Sequence, residues 1–202
     1  MTARTYLLGL TGSIGMGKST TAGLFGEAGV PVWDADAAVG RLYGPGGAGR
    51  DALADLVPAA TEGDHVDREA LRATVLVNPG LLDRVEARVH PLIALDRERF
   101  MRKNARDGLL VFDVPLLFET ATDGWMDGVL VVTAPSNVQR ARVLARPGMS
   151  VEVLEKILAR QTPDAEKRAR ADFVIETGGG IEAARRDVLS LIARINSEAG
   201  HA

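Results

Sequence analysis

The sequence predicts an α/β fold of the doubly wound kind, a parallel sheet covered by helices on both faces. Five short apolar runs, at 6–10, 30–33, 109–112, 129–132 and 173–175, show no alternation of apolar and polar residues. Strands buried on both faces read this way, and the sheets buried on both faces are the parallel ones. Between the runs, apolar residues recur every three or four positions, the period of a helix. Strand and helix therefore alternate along the chain, the order that builds a parallel sheet.

The first run, Tyr6-Leu7-Leu8-Gly9-Leu10, is bounded by glycine, and a helix over 19–28 follows it. The second, Val30-Pro31-Val32-Trp33, has a proline near its start. Residues 44–49 (GPGGAG) read as a plain flexible loop. Leu81, Val85, Val89, Leu92 and Leu95 form a helical stripe that Pro91 interrupts or kinks. The runs at 109–112 and 129–132 each follow a glycine-containing turn. A helix over 151–161 takes Ser150 as its cap. Ile181, Ala184, Val188, Leu191 and Ile195 are the apolar stripe of a final helix. The spacing is uneven. About 75 residues separate the second run from the third, far more than one crossover needs, which predicts a helical insertion. A second insertion, rich in arginine, lies between the fourth and fifth runs.

With 202 residues the chain can build one sizeable core, alone or with small appendages. Its net charge of −3 argues against a nucleic-acid or membrane binder. The chain has no cysteine, which removes disulfides and thiolate chemistry and suits a reducing compartment. His65, His90 and His201 show no metal-ligand spacing. The apolar run at 6–10 is too short for a signal peptide, and no run approaches the ~18 residues of a membrane span. A cytosolic protein is expected.

The chemistry starts at residues 11–20, TGSIGMGKST. Gly12, Ser13, Ile14, Gly15, Met16, Gly17, Lys18 and Ser19 fit the phosphate-loop pattern G-x-x-x-x-G-K-[ST], with a strand before and a helix after. Successive backbone N–H groups at a helix N-terminus cradle a phosphate chain, and glycine keeps side chains out of their way. Lys18 supplies a cation to the β- and γ-phosphates, the Ser19 hydroxyl can ligate Mg²⁺, and Thr20 opens the helix beside them.

In doubly wound sheets ligands sit at the carboxyl ends of the strands. Asp34 and Asp36 follow the second run, where one of them, preferably Asp36, can orient an acceptor hydroxyl. Asp113 follows the third and either holds Mg²⁺ or caps the next turn. Arginines concentrate between 140 and 170, and Arg142 and Arg146 share one helix face at i, i+4 spacing, placed to stabilise a transferring phosphoryl group. His90 beside Pro91 is, on its own, more typical of a structural or exposed histidine.

Together these residues resemble the dephospho-CoA kinase family. The likeness runs through 9–19, Asp34-Ala35-Asp36, His90-Pro91, DVPLLFE at 113–119, Gln139-x-x-Arg142-x-x-x-Arg146, Gln161 and ADFVI at 171–175. It implies a P-loop NTPase fold like that of adenylate kinase, a three-layer α/β/α core around a parallel sheet. The core would be 1–34, 108–138 and 171–202, the helical acceptor-binding insertion 35–107 and a small Arg-rich lid 139–170. It implies transfer of the ATP γ-phosphoryl to the ribose 3′-hydroxyl of dephospho-CoA. Asp34 and Asp36 would lie at the acceptor, with His90, Leu117, Phe118 and Glu119 lining the pocket. The chain departs from the family's pattern at Thr177, near where the family carries Asn, and at Met16, where a smaller residue is common. Rival readings are another small-molecule or nucleoside-monophosphate kinase, a GTPase switch, or a P-loop ATPase. No Asn is followed by Lys, so the guanine motif Asn-Lys-x-Asp is missing.

Overall fold

The structure, a computed structural model, describes residues 4–199. In chain order its elements are β1 (Tyr6–Thr11), α1 (Lys18–Glu27), β2 (Val32–Asp34), α2 (Ala35–Tyr43), α3 (Ala48–Leu53), α4 (Arg68–Val77), α5 (Leu81–Lys103), β3 (Leu109–Asp113), β4 (Gly128–Thr133), α6 (Ser136–Leu144), α7 (Val151–Leu158), α8 (Asp164–Arg170), β5 (Phe173–Glu176) and α9 (Ile181–Ala199). All five apolar runs are strands, and the described residues form a five-stranded sheet in the order β2-β3-β1-β4-β5. β1 pairs in parallel with β3 on one side and β4 on the other, and β4 pairs in parallel with β5.

β3 and β4 are buried along their whole length. Leu8, Leu10, Leu130 and Val132 pack with Phe25 of α1 and with Ala184, Val188 and Ile195 of α9 in one cluster. Leu117, Phe118, Val129 and Val131 form another. Continuous apolar strands are what such two-sided covering requires. Strands after β1 add to one side of it and then to the other. That switch of direction leaves a crevice at its carboxyl end, where the glycine-rich loop begins.

The chain divides into two compact units, one of residues 1–33 and 104–202, the other of residues 34–103. Segment 139–170 belongs to the first. The second is helical and has its own core of Leu53, Val57, Val66, Leu71, Leu81, Val85 and Val89. Asp67 starts α4 by accepting the amides of Glu69 and Ala70 at 2.8 and 3.0 Å, a side-chain cap for a helix start. α5 runs through Pro91 without interruption, because proline removes one bond of the ladder and the rest of a long helix carries on. α7 does begin at Ser150, whose hydroxyl accepts from Val153 N at 3.3 Å. It ends at Leu158, short of 161, and the residues beyond it are recruited elsewhere.

Candidate functional site

The loop between β1 and α1 is shaped by what happens to its carbonyls. Ile14 O accepts Gln139 Nε2 at 2.8 Å. Gly15 O accepts Arg142 Nη1 at 3.4 Å. Met16 O accepts the Thr177 hydroxyl at 2.9 Å. Three successive carbonyls are thus turned to donors outside the loop. A peptide whose carbonyl points one way presents its N–H the other way, and a row of such N–H groups is an anion nest. Gly15 and Gly17 have φ of 78° and 89°, the left-handed region open to glycine. A Cβ on Gly15 would stand 2.5 Å from Val143 Cγ2, and one on Gly17 would stand 3.0 Å from Thr177 Oγ1. The loop is pressed against α6 and the residues after β5, and any side chain at these positions would force it open.

Lys18 is the first residue of α1, and its ammonium pairs with the carboxylate of Asp113 at the end of β3. Asp113 is 2% exposed. Burying an acid there is tolerable because a cation meets it. Ser19 follows on the same helix end. The Ser19 hydroxyl and the Asp113 carboxylate are hard oxygen donors of the kind Mg²⁺ takes while it keeps several waters. No group of three or more His, Cys, Asp or Glu side chains that could hold a metal ion occurs among the described residues.

A cavity of about 350 Å³ opens beside the loop, lined by Gly15, Gly17, Arg142, Arg146, Thr177 and Ile181 among others. Arg142 is held there by Thr177, through Nη1 to the hydroxyl at 2.9 Å and Nη2 to the carbonyl at 2.8 Å. Arg146 is exposed on the same wall. Thr177 therefore has a definite task, joining the Met16 carbonyl to the Arg142 guanidinium, which sequence reasoning missed.

In the second unit, Asp34 caps α2 by accepting Ala37 N at 2.9 Å. Asp36, in the first turn, is exposed and has no such duty. His90 is exposed on α5 and borders a groove of about 490 Å³ with an apolar floor that includes Leu71, Val85, Val89 and Ile93, and with Arg68 and Arg72 at its side.

Leu117 and Phe118 are buried in the cluster beside β4. The Glu119 carboxylate is engaged: its Oε1 accepts Thr162 N at 2.8 Å and lies 2.8 Å from Lys167 Nζ. Lys167 is fully buried, at ion-pair distance rather than in hydrogen-bond alignment. A lysine in an Arg-rich, charged helix gave no sign in the sequence of being the most buried cation in the chain.

Comparison with known proteins points the same way as the geometry. The profile of a family described as dephospho-CoA kinase matches residues 6–183. A dephospho-CoA kinase of Cereibacter sphaeroides is 57% identical over 196 residues, covering 97% of this chain and 98% of that one. Another, of Mesorhizobium japonicum, is 52% identical over 200 residues, with 96% and 98% covered. Among solved structures, a Thermus thermophilus protein superposes with a TM-score of 0.78 at 36% identity, over 95% of this chain and 98% of that one. A dephospho-CoA kinase from Campylobacter jejuni shares the fold at 20% identity, with a TM-score of 0.61 over 95% of this chain and 97% of that one.

The Glu119–Lys167 pair carries a pH signature. Burial pushes the Glu119 carboxyl up, but the Lys167 charge and the amides of Thr162 and Glu119 together pull it below its usual range. The unfolded chain then takes up this proton at a higher pH than the folded one. The stabilisation is complete above the unfolded value and is lost as pH falls through the folded one. Glu119→Gln, which strands the buried Lys167 charge, is expected to cost about 3–5 kcal/mol at neutral pH. Urea unfolding at a series of pH values should show that difference narrowing below about pH 4; a difference independent of pH would contradict the assignment.

Proposed function

We propose, from the premise that this chain belongs to the dephospho-CoA kinase family, how its residues move the ATP γ-phosphoryl group to the ribose 3′-hydroxyl of dephospho-CoA. That phosphorylation, the last step of coenzyme A biosynthesis, is the activity of the family. The observation that carries the residue assignments is the phosphate loop with its carbonyls turned outward and Lys18, Ser19 and Asp113 at its mouth.

In this reading the loop from Gly12 to Thr20 holds the ATP phosphates by those backbone N–H groups not already taken, as Ile14 N–H is by Gln161 and Met16 N–H by Ser13 O, and by the N-terminus of α1. The cavity beside it takes the nucleoside end. Lys18, freed from the Asp113 carboxylate, would meet β- and γ-phosphate oxygens. Ser19 and Asp113 would hold Mg²⁺, which would supply positive charge to offset the charge that builds on the phosphates. Arg142 and Arg146 are the cations assigned to the transferring group. Asp36 accepts a hydrogen bond from the 3′-hydroxyl, aims its oxygen along the line of the breaking bond, and takes its proton as the new P–O bond forms and ADP leaves. Asp34 fixes the start of α2, and with it the place of Asp36.

Dephospho-CoA also carries a diphosphate and a long amide-linked arm. The groove bordered by His90 suits both, with an apolar floor for the arm and Arg68 and Arg72 for the diphosphate. Leu117 and Phe118, expected to line the acceptor pocket, are instead buried in the core, Phe118 under the Arg170 guanidinium at 4.1 Å, and they act by fixing the chain after β3, where Glu119 is tied as described. No helix among the described residues is long and apolar enough to cross a membrane. A cytoplasmic location accords with that and with the lack of cysteine.

The deciding experiment is ADP release from Mg-ATP by the purified protein with dephospho-CoA, AMP, CMP, shikimate or no acceptor. Release with dephospho-CoA alone, and a product of the mass of CoA, is expected. Release that no acceptor changes would overturn the reading. Lys18→Ala should lower turnover at least ~10²-fold, the scale of losing one preorganised charge stabiliser; near-normal turnover would remove Lys18 from the chemistry. Asp36→Asn should lower kcat while leaving ATP affinity intact, and an equal loss of ATP affinity would move Asp36 to the metal.

A further inference from the structure

Two glutamines meet one residue of the phosphate loop, one on each of its two flanking peptides. Gln139 of α6 donates from Nε2 to Ile14 O at 2.8 Å, and Gln161, beyond the end of α7, accepts Ile14 N–H on Oε1 at 3.1 Å. The residue is thus clamped on both its donor and its acceptor. Gln161 does not stand alone on its segment. Its neighbour Thr162 gives its amide to Glu119, in the stretch after β3, at 2.8 Å. Asp164 accepts the hydroxyl of Thr133, the last residue of β4, at 2.9 Å. Lys167 pairs with Glu119. Residues 161–167 are therefore a strap tied in turn to the residues beyond the carboxyl ends of β1, β3 and β4, and Gln161 is its tie to the loop.

We propose that Gln161 is a positioning residue for phosphate binding, holding the Ser13–Ile14 peptide by its N–H so that the seat of the Arg-bearing segment and the shape of the phosphate loop are set together. The residue type fits the task. The position needs a hydrogen-bond acceptor, and it lies beside a site that receives a polyanion. A carboxamide accepts without adding a negative charge there, which a carboxylate would do. The backbone could not supply the same contact without bringing a second chain segment into the nest.

The inference rests on the nucleotide-binding reading of the loop, and ADP titration of the unaltered protein tests that reading by itself. If the unaltered protein fails to bind ADP, the reading is wrong; if it binds and the variants bind equally well, only the present inference falls. Gln161→Met keeps the length of the side chain and removes the acceptor. It should raise the Kd for ADP and the KM for ATP about five- to tenfold, the effect of one net hydrogen bond, while the KM for dephospho-CoA stays within about twofold. A joint rise in both KM values with a lowered Tm would show a merely structural role and overturn the proposal. Because Gln139 and Gln161 hold the two peptides on either side of one residue, Ile14, Gln139→Leu combined with Gln161→Met should lose less ADP affinity than the two single changes summed; strict additivity would also overturn it. Amide hydrogen exchange gives a direct readout that does not depend on activity. Ile14 N–H should be protected in the unaltered protein and in Gln161→Glu, which retains an acceptor oxygen, and should exchange freely in Gln161→Met. Equal protection in all three would refute the clamp.

Discussion

A loop that offers its amides to a polyanion must first dispose of its carbonyls, and the rest of this site depends on how that is done. Ile14, Gly15 and Met16 each hand their oxygen to a donor lying far along the chain: Gln139, Arg142 and Thr177. The donors come from α6 and from the residues after β5, so the loop is complete only when the sheet is. Carbonyls left without partners at the mouth of a buried crevice would cost a desolvation penalty each. They would also point at the phosphates with the wrong sign. One hydroxyl shows the economy of the arrangement. Thr177 serves Met16 with its proton and receives Arg142 on its oxygen, so a cation near the ligand and the carbonyl behind it are fixed by the same atom.

Charge follows the same plan. Lys18 and Asp113 meet at the ends of adjacent elements and neutralise each other in a place too buried for either alone. Glu119 and Lys167 do so again a short way along the chain from β3. Between the two pairs run the apolar side chains of Leu117 and Phe118, which keep that stretch in the core. The acid after β3 that belongs to the chemistry and the acid that belongs to the scaffold are six residues apart (113 and 119), and their partners tell them apart.

The five strands were legible because a strand covered on both faces has no polar positions to confuse its pattern. Gly12 to Ser19 were legible because the loop's backbone geometry excludes almost every other residue at Gly15 and Gly17. Ser150 announced its helix by the chemistry of a cap. What stayed hidden was long-range. Strand order is set by pairing between β1 and strands about 100 residues away, which no local pattern records. Lys167 sits among charged residues at helical spacing and reads as solvated surface, yet Glu119 draws it fully inside. Gln139 and Gln161 carry no intrinsic signal at all, since a carboxamide is equally at home in water and only the two peptides flanking Ile14 give these two their meaning. Pro91 misled in the other direction: a rule about one lost hydrogen bond says little about a helix with many others. α7 ends at Leu158, in a last turn closed by Arg160 N to Ile157 O and Gln161 N to Leu158 O, and beyond it the side chain of Gln161 and the amide of Thr162 are tied to other segments.

The second unit is one uninterrupted stretch, residues 34–103, with its own apolar core, whereas the first is made of two pieces that the stretch separates. That difference sets an order of events during synthesis. Every residue of the helical unit is translated before β3, and its contacts are local, so it can collapse without waiting for the rest of the sheet. The sheet cannot close around β1 until β3 and β4 arrive to flank it, and the Met16 carbonyl of the phosphate loop has no partner until Thr177 is made. Until β3 and β4 arrive, the chain carries the helical unit behind an unpaired, apolar first strand. Exposure to aggregation is borne by residues 6–11, and it ends when those two strands stand beside them.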